Sequence, residues 1–485
     1  MALLTSACAV GPNYKRPSLA VPADYKERQA ETASQWKPAQ PSDVALRGKW
    51  WELFGDPELN ALEEQISISN QNIAQAEAQF RGARAVARGA RGDLFPTVTA
   101  GASVSRSRAS RNRFSTNPTA PAGSTTNSYQ VSGEVSYEVD AWGRIRRSVE
   151  ASVENARASA ADLETVRLSM HAELAVDYFL LHGIDAQRQL LASNVDAYEK
   201  ALQLTINRHN QGIVSGVDVA QAETQLETTR AQLTDLAIAR AQLEHAIAIL
   251  VGKPPADFTI APAAIGVAPP EIPVTLPSEL LERRPDVAAA ERRVASANAQ
   301  IGVAQAGFFP TLLLSASGGW GASTLTKFFS APNLFWSLGA ALAQTIFQGG
   351  KRIAAKEEAL ASYDASVAAY RLSVLTAFQD VEDSLAALRI LAEESTQQER
   401  AVAAAERSLT LAKNRYDGGI TTYLEVVTAQ AVALADERAA VDLQTRRMTS
   451  SVDLVKALGG GWSTADLPSP GAVLSHAPTA ADRPQ

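Results

Sequence analysis

The sequence predicts an α+β membrane protein made of two α-β-β-α-α repeats, and three observations support this fold class. The stretch NRHNQGIVSGVDVAQAE, which begins at Asn207, returns as NRYDGGITTYLEVVTAQ at Asn414, an offset of 207 residues. Long segments without proline have the spacing of apolar residues that is typical of helices. Each half of the chain also contains two runs of about ten residues in which apolar and polar side chains alternate, as in β-strands.

The composition is that of a folded protein and argues against several classes of function. Of the 485 residues, 46% are apolar and 20% are charged, which is typical of globular chains. The net charge of −7 gives no electrostatic support for a nucleic-acid partner. No run of about 18 apolar residues predicts a transmembrane helix, whereas transmembrane β-strands are short and only half apolar.

The sequence also lacks the signatures of an enzyme. It contains no nucleophile beside a base, no phosphate-binding loop and no residues with metal-ligand spacing. Its single cysteine cannot form an intrachain disulfide. We therefore expect no catalytic site, no metal and no dissociable cofactor.

Residues 1–8 resemble the end of a bacterial lipoprotein signal. Ser6 and Ala7 are small and stand directly before Cys8, which would become the lipid-modified N-terminus. Only seven residues precede Cys8, so the signal would be truncated, and an unmodified thiol is the alternative. Residues 9–50 are rich in proline and polar residues without helical spacing, which predicts an extended arm.

The first repeat spans residues 51–251. Asp56, followed by a proline and a glutamate, is a typical helix start, and one continuous helix is expected from there to the first strand. The alternating runs then predict a β-hairpin at about 94–140. A helical hairpin follows over 143–251, and its turn lies in the repeated stretch near Gly212.

The second repeat has the same order of elements. A proline-rich linker at 252–277 precedes it, and the repeat itself spans 278–459. Its β-hairpin is expected at about 309–347 and its helical hairpin at 350–458. The last residues, 460–485, are rich in proline, serine and alanine, which predicts a flexible tail.

The strands require more than one copy of the chain. Four strands cannot close a barrel, since small barrels need about eight. Unpaired strand edges are not tolerated in a bilayer, so several chains would contribute strands to one barrel with a wet lumen. The alternative is a soluble α+β protein whose sheet packs on its own helices. Helices of about 100 Å are far longer than four strands can cover, which favours the membrane barrel.

Four motifs together identify a resemblance that covers nearly the whole chain. They are CAVGPNYKRP at Cys8, WWELFGDPELNALEEQ from Trp50, LLERRPDVAAAERRVASANAQIGVAQAGFFPTL from Leu280 and RYDGGITTYLEVVTAQ from Arg415. The chain resembles the outer membrane factors of TolC/OprM type, and in particular their NodT-like lipoprotein branch.

This resemblance implies a homotrimer with a twelve-strand transmembrane β-barrel, four strands from each chain, continued by a long periplasmic α-helical barrel. It implies an outer-membrane exit duct that receives drugs, dyes or metal ions from a periplasmic adaptor protein and an inner-membrane pump of the resistance–nodulation–division class. Diacylglycerol and an N-acyl chain on Cys8 would anchor it to outer-membrane lipid. An outer-membrane conduit for type I protein secretion is the alternative within this family, and a soluble coiled-coil scaffold is the alternative outside it.

The resemblance also assigns roles to the helix-hairpin turns. They would form periplasmic tips that contact the adaptor through Gly212, Ile213, Gly419 and Ile420. The glycines have a physical reason, because a helix end that turns sharply needs a residue in the left-handed conformation.

A periplasmic gate at these tips is implied for Asp218, Tyr416 and Glu425. Thr421 and Thr428 occupy positions where the family has charged residues, so the tightness of the gate is expected to differ. The alternative for the two acids is helix capping, since acids favour the first turn of any helix.

Overall fold

The computed structural model describes residues 9–19, 21–22, 24–27, 48–108, 110, 125–270, 272 and 277–475. The proposed lipid attachment at Cys8 lies outside these residues, as does most of the predicted arm. In the part of the chain that is described, no helix is both long enough and apolar enough to cross a membrane.

The first half of the chain follows the order helix, strand, strand, helix, helix. Two helices lead into a β-hairpin and two much longer helices leave it. The elements are α1 (Pro57–Ser69), α2 (Gln71–Gly92), β1 (Thr97–Arg108), β2 (Thr125–Val139), α3 (Arg144–Asn210) and α4 (Gly216–Leu250).

The prediction of one continuous helix before the first strand is wrong, because Asn70 divides it. The Asn70 backbone is extended, and its side-chain oxygen accepts hydrogen bonds from the N–H groups of Asn72 and Ile73 at 2.9 and 3.1 Å. Its amide nitrogen also donates to the Leu250 carbonyl oxygen at 2.8 Å. Asn70 therefore caps α2 and fixes it to the end of α4.

The second half has the same order of elements. Its elements are α5 (Pro277–Arg283), α6 (Pro285–Ala306), β3 (Thr311–Ala322), β4 (Leu334–Ala343), α7 (Lys351–Asp417) and α8 (Tyr423–Ala457). The long helices match in length, because α3 and α7 have 67 residues each and α4 and α8 have 35 each.

The strands form one antiparallel sheet in the order β1-β2-β3-β4, so one edge of β1 and one edge of β4 are unpaired within the chain. The register gives the sheet two different faces. One face is mostly serine, threonine and glycine and carries the two acids Glu134 and Glu138. The opposite face is mostly apolar and includes Val98, Val104, Val135, Leu314, Trp336 and Leu338.

The main core lies midway along the long helices rather than beneath the sheet. There α1 and the segment before it pack against the middle of α3, and the end of α8 packs nearby. The buried residues include Trp50, Phe54, Leu174, Phe179, Val374 and Met448. The sheet is thus separate from the core, at one end of the helices.

The prediction of a flexible tail is wrong for residues 460–475. The short helix α9 (Pro470–Leu474) begins at Ser469, whose hydroxyl oxygen accepts a hydrogen bond from the Ala472 N–H at 3.2 Å. Val473 is fully buried in a small cluster with Ala87 and Val153. Val473 and the partly buried Leu474 fix this segment to α2 and α3, although two adjacent apolar residues give no periodic signal in the sequence.

Candidate functional site

The helical hairpin of the first repeat turns at Gly212, which has a φ of 73°. The Gly212 N–H donates to the His209 carbonyl oxygen at 2.8 Å, and the Ile213 N–H donates to the Arg208 carbonyl oxygen at 2.9 Å. These two bonds form a Schellman motif, which requires a left-handed residue after the helix end. The predicted conformation of Gly212 is confirmed.

The second hairpin turns in the same way at Gly419, with a φ of 72°. Its N–H donates to the Tyr416 carbonyl oxygen at 3.0 Å, and the Ile420 N–H donates to the Arg415 carbonyl oxygen at 2.9 Å. The residue after each glycine is apolar and exposed, at 66% for Ile213 and 73% for Ile420. Each tip thus presents an isoleucine to its surroundings.

Asp218 caps the helix that follows the first turn. Its carboxylate accepts hydrogen bonds from the Ser215 N–H at 3.0 Å and from the Ser215 hydroxyl at 3.1 Å. The capping alternative for this residue is therefore observed in the structure. Among the described residues, no hydrogen bond joins Asp218 to Tyr416 or Glu425.

Tyr416 lies between the two helical hairpins. It is 8% exposed and belongs to a buried cluster with Ala222 from α4 and with Tyr423 and Val426 from α8. Its ring meets the Tyr423 ring edge-on at 5.2 Å between centroids. Burial raises the pKa of Tyr423 to about 12, so the Tyr423 phenol stays neutral. The two rings hold the hairpins together by packing.

Glu425 forms an ion pair within the second hairpin. Its Oε2 lies 3.1 Å from Nη1 of Arg415, and both side chains are about half exposed. The bond ties the start of α8 to the end of α7. It leaves the first hairpin untouched.

Arg208 was not among the residues that the sequence predicted for the gate, yet it joins the two tips. Its Nη2 lies 3.2 Å from Oδ1 of Asp417, and its guanidinium lies over the Tyr416 ring at 5.0 Å from the centroid. A signal was present, because Arg208 and Arg415 are the same residue of the two repeated stretches. The structure uses them differently, since only Arg208 reaches the other hairpin.

No group of three or more histidine, cysteine, aspartate or glutamate side chains is placed to bind a metal ion within the described ranges. The contacts observed at the tips are packing, hydrogen bonds and ion pairs. This arrangement suits a joint between helices.

Comparison with known proteins identifies the family. The sequence profile of the outer membrane efflux protein family matches residues 62–253 and 276–460, which is most of the chain.

Individual relatives agree with this match. The pyoverdine export outer membrane protein OpmQ of Pseudomonas aeruginosa is 33% identical over 466 residues, covering 95% of this chain and 96% of OpmQ. The toluene efflux pump outer membrane protein TtgC of Pseudomonas putida is 31% identical over 463 residues, covering 95% and 94%. The solved outer-membrane channel OprN is 31% identical, covers 94% of this chain and 100% of OprN, and superimposes with a TM-score of 0.85. The chain therefore belongs to the outer membrane efflux protein family.

Proposed function

We propose that three copies of this chain form one exit duct of a tripartite efflux pump, with a twelve-strand barrel in the outer membrane. The observation that carries this proposal is the sheet, which has an apolar face and one unpaired edge on each of β1 and β4. In a bilayer those edges must be paired, and pairing β1 of one copy with β4 of the next satisfies both. Three copies of a four-stranded sheet give a closed barrel of a size known for outer-membrane proteins.

The helices supply the periplasmic part of the duct. A helix of 67 residues is about 100 Å long, so α3 and α7 carry the tips far from the sheet. In a trimer these helices, with α4 and α8, would form a closed helical wall. The two tips of each chain would then surround the periplasmic entrance.

The adaptor would dock at these tips. Exposed Ile213 and Ile420 offer apolar contacts at the end of a rigid hairpin, which is the kind of surface that a protein partner covers. Gly212 and Gly419 hold each isoleucine outward through the Schellman motifs. We propose a periplasmic adaptor as this partner, and behind it an inner-membrane pump of the resistance–nodulation–division class.

Gate roles for Asp218, Tyr416 and Glu425 are part of the proposal. Tyr416 would act by packing the hairpins together, as its burial with Ala222 and Val426 supports. Asp218 and Glu425 would act first by stabilising the start of the helix that follows each turn.

A lipid anchor on Cys8 is also part of the proposal, and the position of the next residues supports it. The Val10 N–H donates to the Trp142 carbonyl oxygen at 3.0 Å. Trp142 lies between β2 and α3, and its ring stacks on Phe309 at 4.7 Å. Aromatic residues at this junction are typical of the membrane interface, so a lipid on Cys8 would enter the bilayer directly.

Deletion and complementation test the function. Loss of the gene should raise sensitivity to at least one class of drug, dye or metal ion, and the full chain should restore resistance. The complementing protein should sediment with the outer membrane and migrate as a trimer in detergent unless boiled. Unchanged sensitivity together with the loss of a secreted protein would instead favour type I secretion.

A further inference from the structure

The serine- and threonine-rich face of the sheet carries one carboxylate that has no partner among the described residues, that of Glu134. In the register, Glu134 lies opposite Thr99 on β1 and opposite Ser317 on β3, and Ser317 lies opposite Ser337 on β4. The whole row across the sheet therefore consists of this glutamate and three hydroxyl residues. Glu134 is exposed within the chain.

The other acid of this face, Glu138, is neutralised. Arg144 donates to both of its carboxylate oxygens, from Nε at 2.9 Å and from Nη2 at 2.8 Å. The two arginines of the strands, Arg106 and Arg108, pair with Asn127 and Thr125 and so belong to the opposite face. Over the four described strands, Glu134 is thus the charge of this face that no cation balances.

We propose that Glu134 makes the lumen of the barrel prefer cations over anions. The inference rests on the proposed trimeric duct. The apolar face must contact lipid, so the hydroxyl-rich face surrounds the lumen, and the threefold axis places three copies of Glu134 around it. Rings of carboxylates raise the local concentration of cations and repel anions in channels.

The ring lies near the periplasmic end of the barrel. Glu134 pairs with Thr99, the third residue of β1, and β1 begins directly after the periplasmic helix α2. A solute that leaves the helical part of the duct therefore meets Glu134 soon after it enters the barrel. The substrate class that this arrangement favours is cationic or neutral compounds, whereas anionic compounds are repelled.

The test measures ion selectivity of the purified trimer in planar lipid bilayers, with potassium chloride at different concentrations on the two sides. The reversal potential gives the ratio of potassium to chloride permeability, and we expect this ratio to exceed one for the natural chain. Glu134→Gln keeps the size of the side chain and removes the charge, so the ratio should fall at least about twofold.

Two further variants control for effects of shape. Ser132→Ala changes a neighbour on the same face without changing charge, and the ratio should stay as in the natural chain. Ser132→Asp in the Glu134→Gln background returns a carboxylate to this face two residues away, and the preference for potassium should return. If Glu134→Gln does not assemble, Ser317→Lys places a cation beside the intact Glu134 and should lower the ratio instead.

The outcomes separate this inference from the proposed function. Pores of normal conductance whose ion preference is the same with and without the Glu134 charge would overturn the inference and leave the duct intact. A chain that forms neither trimers nor pores would overturn the proposed function, and the inference with it.

Discussion

At the scale of single residues, Arg208 supplies the ion pair that joins the two hairpin tips of one chain, beside the packing of Tyr416. Its guanidinium pairs with Asp417 and covers the ring of Tyr416, both of which belong to the other hairpin. The ion pair is partly exposed, so it contributes about 1 kcal/mol at most. The contact with the ring adds about 0.5–1 kcal/mol. Threefold repetition in the duct would multiply this small preference for the joined state.

We expect Arg208→Gln to loosen the tips and to widen the periplasmic entrance of the proposed duct. Both the ion pair and the cation–π contact are lost, while glutamine retains the helix propensity of this position. Single-channel conductance in planar bilayers should rise by at least about twofold, as a constriction is relieved.

Arg415→Gln is the matched control for this prediction. Arg415 occupies the equivalent position of the second repeat, but its partner Glu425 belongs to its own hairpin. Its loss should therefore change conductance less than the loss of Arg208. Equal increases for the two variants would contradict the role assigned to Arg208.

At the scale of elements, a buried pair of titratable groups fixes α1 to the middle of α3. Oε2 of Glu63 lies 2.6 Å from Nδ1 of His171, and the His171 ring stacks on Trp51. Burial raises the pKa of Glu63 well above its usual range. Burial, and then Arg167, lowers the pKa of His171 to about 4. Both shifts favour the uncharged form of the group, so we expect a neutral acid beside a neutral imidazole.

These shifts make stability depend on pH in two ways. Folding raises the pKa of Glu63 above its value of about 4.5 in the unfolded chain. The stability that Glu63 contributes is therefore fully present below about pH 4.5 and is lost as the pH rises. Folding lowers the pKa of His171 below its value of about 6.5 in the unfolded chain. The stability that His171 contributes is therefore fully present above about pH 6.5 and is lost as the pH falls. Between these limits the two effects oppose each other, and above pH 6.5 only the loss due to Glu63 continues.

Glu63→Gln should therefore gain stability relative to the natural chain as the pH rises from 6.5 to 8. The gain approaches about 1.4 kcal/mol for each pH unit as long as the folded natural chain keeps Glu63 protonated. The apparent unfolding temperature in detergent, measured against pH, reports this difference. Glu64→Gln, a change at the exposed neighbour of Glu63, should give a curve parallel to that of the natural chain. A parallel curve for Glu63→Gln as well would contradict the neutral pair.

Elements whose signals are local were predictable from the sequence, and elements that depend on distant contacts were not. Helix starts such as Asp56 and turns such as Gly212 depend on neighbouring residues, and the structure has them as expected. The break at Asn70 depends on the carbonyl of Leu250, 180 residues away, and the ordered α9 depends on Val473 and Leu474, which pack against α2 and α3. Neither contact leaves a periodic pattern in the sequence.

The tips show the same division. The backbone conformation of both turns was predictable from their glycines. The partners of the side chains were not predictable, because they depend on how closely α3 and α7 pack in the folded chain. Arg208 and Arg415 have the same neighbours in sequence, and only the packing of the two hairpins makes one of them a link and the other a local ion pair.

At the scale of the whole molecule, the structure separates a strand region with unpaired edges from helices that contain their own core. The main buried cluster lies midway along α3 and α7, so a single chain can hold its helices together alone. The strands β1, β2 and β4 have no such support, because they are exposed over most of their length, and β3 is partly exposed. In the proposed duct, the lipid and the neighbouring copies would supply the contacts that stabilise the sheet.

Cysteine crosslinking tests which edges meet in the assembly. A cysteine replaces Thr99 on β1 and is combined with one cysteine on β4 at a time, in place of Phe335, Ser337, Gly339 or Ala341. Four positions are tested because the stagger between copies sets the register of β1 against β4 of the next copy. Since every copy has one β1 and one β4, at least one pair should close a covalent ring of three 51.5 kDa chains that survives boiling. Variants with only one of the new cysteines show whether Cys8 itself forms crosslinks. Cysteines in place of Glu134 and Ser317 are neighbours within one chain, so crosslinking this pair should leave the chains as monomers. Open ladders without a closed trimer from every pair would contradict the barrel of three chains.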